Sequence, residues 1–231
     1  MSPRRRQEDR TRETRAALIA AGRGLFAEHG YADVTAEQIV AEAGLTRGAL
    51  RHHFGDKAAL FRAVFVELEK EIADRIAAAV LDVLPDPSEA PAEGPPAGQG
   101  GAWDGLRAGL AAFLDVTREP EVLRIGLTDA PAVLGWADWR AIEAEYGLGL
   151  TKTVLAQAIE EGVLVPQPVD LLAHLLLSAM IEAALLIARA DEDDRARTRE
   201  EAERTLLALL EGLRPPAPVP GRSGAPGPER L

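Results

Sequence analysis

Apolar residues recur every three to four positions along most of this chain, which is the spacing of one face of an α-helix. The first stripe lies within residues 11–29 and is followed by Gly30, a residue suited to a left-handed helix cap. The stripe consists of Ala17, Leu18, Ala21, Leu25 and Phe26. The pattern therefore predicts a first helix over 11–29 with one apolar face to bury.

Two shorter helices are predicted directly after it. Thr35 precedes a helical run and is followed three residues later by Gln38, which is the spacing of a capping box. Gly44 permits a sharp turn, and Thr46 is placed to cap a third helix that ends near His53. Two short helices joined by a glycine-containing turn form a helix-turn-helix, although the same pattern also occurs as a plain corner between helices in unrelated bundles.

The rest of the chain predicts a helical body. Asp56 is placed to cap a long helix over 57–84. Pro131 marks a break before a later helix that Gly162 closes. The helices after the long one are expected over 103–117, 121–129, 134–161, 170–190 and 195–213.

The last two predicted helices each carry a broad apolar face. Such a pair exposes more apolar surface than its two helices bury against each other, so two copies of the pair are expected to pack as a four-helix bundle. The pattern thus predicts a homodimer formed through 170–190 and 195–213. The two faces comprise Leu175, Ala179, Ala183, Leu186 and Ile187 on the first helix, and Ala202, Leu206, Leu209, Leu210 and Leu213 on the second.

Two segments are too rich in Pro and Gly to be helical and too poor in apolar residues to form core. Residues 85–101, PDPSEAPAEGPPAGQGG, are expected to form a mobile loop, and residues 215–231 a disordered tail. The chain is therefore divided into an N-terminal arm with the helix-turn-helix over 1–56 and a helical body over 57–214.

Composition agrees with a helical protein that binds rather than catalyses. Hydrophobic residues make up 47% of the chain and aromatic residues 4%, and the frequent Ala, Leu and Glu favour an all-α fold. The absence of cysteine excludes disulfides and thiolate chemistry. GxSxG, HExxH and glycine-rich phosphate loops are also missing, so no enzyme activity, cofactor or metal site is expected.

One segment, LLAHLLLSAMIEAALLIARA, is long enough to span a bilayer. It contains His174, Glu182 and Arg189, which are expensive to place in a membrane. The charged N-terminus MSPRRRQEDRTRETR lacks the apolar stretch of a secretory signal. We therefore expect a cytoplasmic protein without a membrane span.

Charge is divided unevenly along the chain. The formal net charge is -11, yet residues 1–57 hold ten Lys and Arg against eight Asp and Glu, while the remainder holds sixteen against twenty-nine. The first fifteen residues carry six arginines and three acids. Such an arm suits contact with phosphates, although a solubilising tail would have the same composition.

The run GLTRGALRHHFGDKAALF resembles the DNA-binding signature of the TetR family of transcriptional regulators. There a turn, a short recognition helix, and an aromatic residue before a glycine and a lysine follow in this order. The similarity extends over about residues 11–65, and LTDAPAVLGWADWR is similar to a stretch in one broad group of the family. The resemblance implies an all-α fold, with an N-terminal three-helix DNA-binding domain and a C-terminal helical domain for ligand binding and dimerisation.

The resemblance also implies which residues contact DNA. The recognition helix would insert in the major groove, where arginine pairs with guanine O6 and N7, so Arg47 and Arg51 are the candidates for base recognition. Most family members have an aromatic residue, usually tyrosine, where this chain has Arg51, and an operator preference is therefore not transferable. The expected DNA contacts are Thr35, Thr46, Arg47, Gly48, Arg51, His52, His53 and Lys57.

A small-molecule effector is a further implication of the resemblance, bound in a pocket among the helices of the body. Large and polar side chains of the body are the candidates, although aromatic residues at such positions also serve as plain core. The candidates are Phe113, Arg124, Asp129, Trp136, Trp139, Tyr146 and His174.

The sequence thus predicts a ligand-responsive repressor that binds a pseudo-palindromic operator as a homodimer. The acidic body and the 85–101 segment leave one alternative, a helical protein-interaction scaffold without sequence-specific DNA binding.

Overall fold

The computed structural model describes residues 3–84 and 101–216, and within these ranges the chain folds into helices joined by turns, with no strand. The predicted mobile loop, apart from Gly101, and the predicted tail beyond residue 216 lie outside the described residues. Gly101 itself is the first residue of a helix.

Three helices form an N-terminal unit that we call the head. They are α1 (Pro3–His29), α2 (Ala36–Glu42) and α3 (Arg47–His53). Helix α1 begins earlier than the predicted residue 11, and it ends where Gly30 adopts a φ of +81°. The apolar stripe of α1 packs against α2 and α3, which buries Leu18, Phe26 and Ile39 completely.

Local hydrogen bonds fix both short helices as predicted. The backbone N–H of Gln38 donates to Thr35 Oγ1 at 3.2 Å, and the N–H of Thr35 donates to Gln38 Oε1 at 2.7 Å, which completes the capping box. The N–H of Ala49 donates to Thr46 Oγ1 at 3.2 Å. Gly44, with a φ of +64°, turns the chain between α2 and α3.

The remaining helices form a unit that we call the body. Helix α4 (Lys57–Val83) begins at the Asp56 cap, packs against α1 of the head, and continues along α5 and α7. The boundary between domains at residues 56 and 57 stays a prediction. The other helices of the body are α5 (Gly101–Val116), a π-helical segment (Val122–Asp129), α6 (Ala130–Leu134), α7 (Trp136–Glu160), α8 (Val169–Arg189) and α9 (Glu192–Glu211).

The break predicted at Pro131 is wrong. Pro131 lies in the first turn of α6, which follows the π-helical segment with helical backbone at Asp129 and Ala130. The chain turns instead at Gly135, whose φ of +80° is open to glycine, and α7 begins at Trp136.

Within the described residues, α8 is the one helix long and apolar enough to cross a membrane by length and composition. Half of its apolar window is buried against the rest of the body, and Ala173, Ala184 and Ile187 have no exposed surface. It is a core helix of this fold.

Candidate DNA-binding surface and effector cavities

Helix α3 presents a polar face to solvent and an apolar face to the head. Leu50 is buried, whereas Arg47, Arg51 and His52 are exposed. Arg51 makes no ion pair within residues 3–84 and 101–216, so its guanidinium is available to an external partner. The imidazoles of His52 and His53 lie edge to face, with ring centroids 5.0 Å apart.

Arg47 already has a partner, because its Nη2 lies 2.8 Å from Glu37 Oε1 on α2. The Arg47 side chain is 73% exposed, and an ion pair in that setting contributes little to stability. Arg47 therefore remains a candidate for contact with DNA.

Arg47, Gly48 and Arg51 line a concave surface of about 600 Å³ between α3 and the first turns of α2 and α4. The predicted contact residue Lys57 also lines it. Thr35 and Thr46 stand at the N-termini of α2 and α3, where backbone N–H groups and the helix dipole favour an anion. Four of the predicted contacts thus share one concave surface, and Thr35 directly precedes Ala36, which also lines it.

The ammonium group of Lys57 is used inside the protein. Its Nζ donates to the carbonyl oxygens of Tyr31 at 2.8 Å and Val34 at 2.7 Å, and it lies 3.9 Å from the centroid of the Tyr31 ring. Partial burial lowers the pKa of Lys57. Lys57 fastens the α1–α2 connection to α4, which leaves less of its donor capacity for a phosphate than the sequence suggests.

Gly48 is not required by the fold. An added Cβ would meet Thr46 Oγ1 at 3.6 Å, an ordinary contact distance, and the φ of Gly48 is not positive. Glycine inside a helix nevertheless costs about 1 kcal/mol relative to alanine. The missing side chain therefore lets an external backbone approach α3 closely.

The body contains a row of three small cavities that share walls. The first, of about 50 Å³, lies among α4, α5, α7 and α8 and has an apolar lining apart from Thr151. The second, also about 50 Å³, adjoins it across Ile76 and Leu150. The third, of about 20 Å³, adjoins the second across Phe113 and reaches the π-helical segment.

Two carboxyl groups border both the second and the third cavity. Glu69 on α4 is 8% exposed and Glu143 on α7 is 6% exposed. Burial raises the pKa of Glu69 well above its ordinary value, and the nearby Glu143 raises it further. Burial also raises the pKa of Glu143 to about 7, although Arg140 and the indole of Trp139 favour its ionised form.

The π-helical segment joins these cavities to the head. Its Val122, Gly126 and Leu127 line the third cavity. At its N-terminal end, Glu121 accepts hydrogen bonds from Arg23 of α1, at 2.6 Å from Nε and 2.9 Å from Nη2.

At the C-terminal end of the segment, Asp129 Oδ2 accepts a hydrogen bond of 2.7 Å from the N–H of Tyr31. Arg23 also donates to Glu71 of α4 at 2.7 Å, and these hydrogen bonds raise the pKa of Arg23. The π-helical segment is therefore hydrogen-bonded to the head at both of its ends.

Comparison with known proteins places this geometry in a family. Residues 18–64 match the model of bacterial regulatory proteins of the tetR family, and residues 103–213 match the tetracyclin repressor-like C-terminal domain. The crystal structure of a TetR-family transcriptional regulator from Pectobacterium atrosepticum is 33% identical, covers 89% of this chain and 96% of its own, and has a TM-score of 0.72. The chain belongs to the TetR family.

Two further known proteins match different shares of this TetR-family protein. The HTH-type transcriptional regulator CymR of Pseudomonas putida is 41% identical over 86 residues, which are 37% of this chain and 42% of CymR. The structure of a SmeT–triclosan complex is 24% identical, covers 94% of this chain and 99% of its own, and has a TM-score of 0.61. SmeT shares the fold over most of this chain, and the regulator from Pectobacterium atrosepticum shares the family as well.

Few of the predicted effector residues of this TetR-family protein line the cavities. Phe113 and Tyr146 do so, and buried Trp139 favours the ionised form of Glu143. Trp136 is 63% exposed and packs on Trp139, with ring centroids 4.9 Å apart.

The other predicted effector residues lie elsewhere. Arg124 is exposed close to Gly30 of the head, and Asp129 is bonded to Tyr31. His174 is exposed on α8. None of the three lines any of the three cavities described above.

Sequence reasoning missed Glu69 and Glu143. The signal that identifies them is a charge at an apolar position of a helical stripe. Glu69 stands four residues after Phe65 and three before Ile72, and Glu143 stands four residues after Trp139.

The outer face of α8 and α9 carries exposed leucines beside Glu182 and Glu201. Ile187, Leu206 and Leu210 of the predicted faces point into the core. The leucines on the outer side are more than half exposed, and a groove of about 390 Å³ runs between the two helices. These exposed leucines are Leu171, Leu175, Leu186 and Leu209.

Proposed function

We propose that this protein is a ligand-responsive repressor that acts in the cytoplasm and binds a pseudo-palindromic operator as a homodimer. The observation that carries the proposal is the solvent face of α3, where exposed Arg47 and Arg51 flank a glycine that the fold does not need. That combination suits close approach to a DNA backbone together with recognition of guanine.

Binding to DNA upstream of the protein's own gene tests the proposal directly. Gel-shift titration is expected to show saturable binding whose affinity falls steeply with salt, because bound counterions are released from the phosphates. If no upstream fragment shows saturable, salt-sensitive binding, the regulator hypothesis is refuted and a protein-interaction scaffold is favoured.

The paired substitution Arg47→Ala, Arg51→Ala tests the role of α3. Each guanine contact contributes about 1–3 kcal/mol of discrimination, so the double variant is expected to lose operator preference by at least about thirtyfold. Arg107→Ala, on an exposed face of α5, is the matched control. If the double variant instead changed the oligomeric state, the helix-turn-helix would be structural.

The proposed dimer uses the outer face of α8 and α9, where four exposed leucines and the groove meet solvent in the single chain. An apolar patch of this kind on two adjacent helices matches the pairing of four-helix bundles. A dimer of two heads would span half-sites about one helical turn, or 34–36 Å, apart. Analytical ultracentrifugation is expected to give a dimer.

The proposed ligand response operates through the π-helical segment. The TetR-fold protein SmeT was solved with triclosan, which supports a small-molecule site in this fold. In this chain a ligand in the cavities would push on Val122 and Leu127 and move the segment that holds Arg23 and the N–H of Tyr31. The ligand changes operator affinity by as much as its own affinity differs between the two positions of the head.

Arg23→Lys tests this transmission, because lysine keeps the charge but loses the bidentate geometry. With an effector found by thermal-shift screening, the ratio of operator affinities without and with effector is expected to fall toward one. Arg75→Lys is the control, since Arg75 makes a similar pair with Glu119 that does not involve the head. An unchanged ratio in Arg23→Lys would exclude this route.

A further inference from the structure

The pair of buried carboxyl groups is the most unusual feature of the body. Glu69 and Glu143 are both more than nine-tenths buried and come from different helices to border the same two cavities. Glu69 has no hydrogen bond or ion pair with any residue in 3–84 or 101–216. Buried charges are normally paired, so burial favours the neutral form of Glu69 unless a cation lies beside it.

A purely structural role explains this pair poorly. Two like charges in a low-dielectric site repel each other, and an apolar residue at either position would stabilise the body. Arg140 and Trp139 act on Glu143, yet its pKa still rises to about 7. The two carboxyl groups therefore lower the stability of the body, and both border the second and third cavities.

The rest of the cavity lining suits an organic cation better than a metal ion. The described residues contain no group of three or more His, Asp or Glu placed to hold a metal ion, and Mg²⁺ and Ca²⁺ require six or more oxygen ligands. Apolar side chains dominate instead, and the rings of Phe113 and Tyr146 border the second cavity beside the carboxyl groups. Aromatic faces attract organic ammonium groups.

The arrangement of the three cavities also limits the shape of a ligand that fills them. Both carboxyl groups lie where the second and third cavities meet, whereas the first cavity is apolar apart from Thr151. A molecule that fills the row has its charge beside Glu69 and Glu143 and a narrow apolar chain directed toward Leu106 and Val154.

We propose that the effector of this protein is an organic cation, an amine with an unbranched apolar chain, whose ammonium group is held between Glu69 and Glu143. The proposal rests on the proposed ligand-responsive function and adds the chemical class of the ligand. The ammonium group supplies the charge that the cavity lacks, and the chain replaces empty space in the first and second cavities.

Binding of an ammonium group is coupled to loss of a proton. Without ligand, the raised pKa values of Glu69 and Glu143 keep at least one of the two protonated near pH 7. The other charged group that acts on the pair is Arg140, on the same helix as Glu143, while α5, α8 and the π-helical segment contribute no charged side chain to the lining. Amine affinity is therefore expected to fall about tenfold from pH 8 to pH 6.

Titration calorimetry with three probes of equal length tests the proposal at pH 8. The probes are n-hexylamine, 1-hexanol and hexanoate, which differ in charge at one end. Hexylamine is expected to bind at least tenfold more tightly than hexanol, and hexanoate is expected not to bind. Equal affinity of the amine and the alcohol, preference for hexanoate, or no binding of the amine would overturn the proposal.

Glu143→Gln and Glu69→Gln test the carboxyl groups themselves, because glutamine has the same shape without the charge. Each is expected to weaken hexylamine binding at least tenfold and to change hexanol binding by less than twofold. Glu145→Gln, at an exposed position of α7, is the matched control. Thermal melting establishes that each variant is folded, and unchanged amine affinity in a folded Glu143→Gln protein would exclude the site.

A gel shift without ligand separates this proposal from the proposed function. Operator binding without hexylamine binding would refute the cationic effector and leave the repressor intact. Hexylamine binding that depends on Glu69 and Glu143, in a protein that binds no DNA, would support the site and refute the repressor.

Discussion

The head and the body bury helical faces in different ways. In the head the buried side chains among those described are all apolar, and the polar caps Thr35 and Thr46 are satisfied by backbone groups three residues away. In the body, Glu69 and Glu143 are buried beside cavities. The same helix, α4, packs against both regions, so its sequence serves two different environments.

The difference separates two tasks. A surface that recognises DNA needs fixed geometry, which short-range caps and an apolar core provide. A site that responds to a ligand needs a region in which binding changes the balance between states, and buried carboxyl groups beside cavities are suited to this. The π-helical segment lies between the two, with its ends bonded to α1 and to the α1–α2 connection.

The largest expected effect concerns the dimer, and it tests whether one head binds the operator without a second head. Leu209→Glu places a charge at a position that is 61% exposed in one chain but buried in the proposed dimer. We expect a folded monomer by circular dichroism and analytical ultracentrifugation, with operator affinity more than a hundredfold lower because one head contacts one half-site.

Ala141→Glu, at an exposed position of α7, is the control for Leu209→Glu and is expected to leave the dimer unchanged. A Leu209→Glu protein that remains dimeric would show that the outer face of α8 and α9 is not the interface.

The next effect is the pH dependence of the free energy of unfolding, which tests the burial of Glu143 in the body. Because burial raises the pKa of Glu143 to about 7, folding favours its protonated form, and this stability is lost as the pH rises through about 7. Relative to Glu143→Gln, the free energy of unfolding of the natural protein is expected to fall between pH 5 and pH 8, on the order of 3 kcal/mol. Urea unfolding at both pH values measures it, and a pH-independent difference would contradict the burial of an ionisable group.

A smaller effect separates stability from recognition within the head. Gly48→Ala adds a methyl group where the free protein has room, so the head is expected to gain up to about 1 kcal/mol in stability. Operator affinity is expected to fall about tenfold, because the methyl group meets the DNA backbone. Unfolding curves and gel shifts on the same preparation measure the two quantities, and full operator affinity would show that DNA does not approach α3 at Gly48.

The smallest effect concerns the cap of α2. Thr35→Ala removes the acceptor for the N–H of Gln38 and is expected to lower the free energy of unfolding by about 1 kcal/mol. Thr35→Ser keeps the hydroxyl group and is expected to restore most of it. Equal loss in both variants, measured by urea unfolding, would mean that the methyl group and not the capping bond of Thr35 stabilises the head.

Most of the head was predictable because its interactions are local. The helix bounds near Thr35, Thr46 and Asp56 depend on side chains that bond backbone N–H groups three residues away, and that spacing is visible in the sequence. The role of Lys57 was only partly predictable, since its two carbonyl acceptors lie in a connection that reaches it only when α1 packs on α4.

The body was predictable as a set of helices but not as a site. Aromatic and polar side chains were the natural candidates, yet Trp136 and His174 face solvent and Asp129 is bonded to the head. Helical periodicity shows which residues share a face of a helix. It does not show which other helix packs against that face.

The sequence by itself determined the helices, their caps, the helix-turn-helix and the resemblance to TetR regulators, because these depend on hydrogen bonds and periodicity within a few residues. Only the tertiary structure brought Glu69 of α4 to Glu143 of α7, formed the π-helical segment and turned Leu209 outward. Those outcomes depend on which surfaces of distant helices exclude water from each other, and that depends on the packing of the whole body.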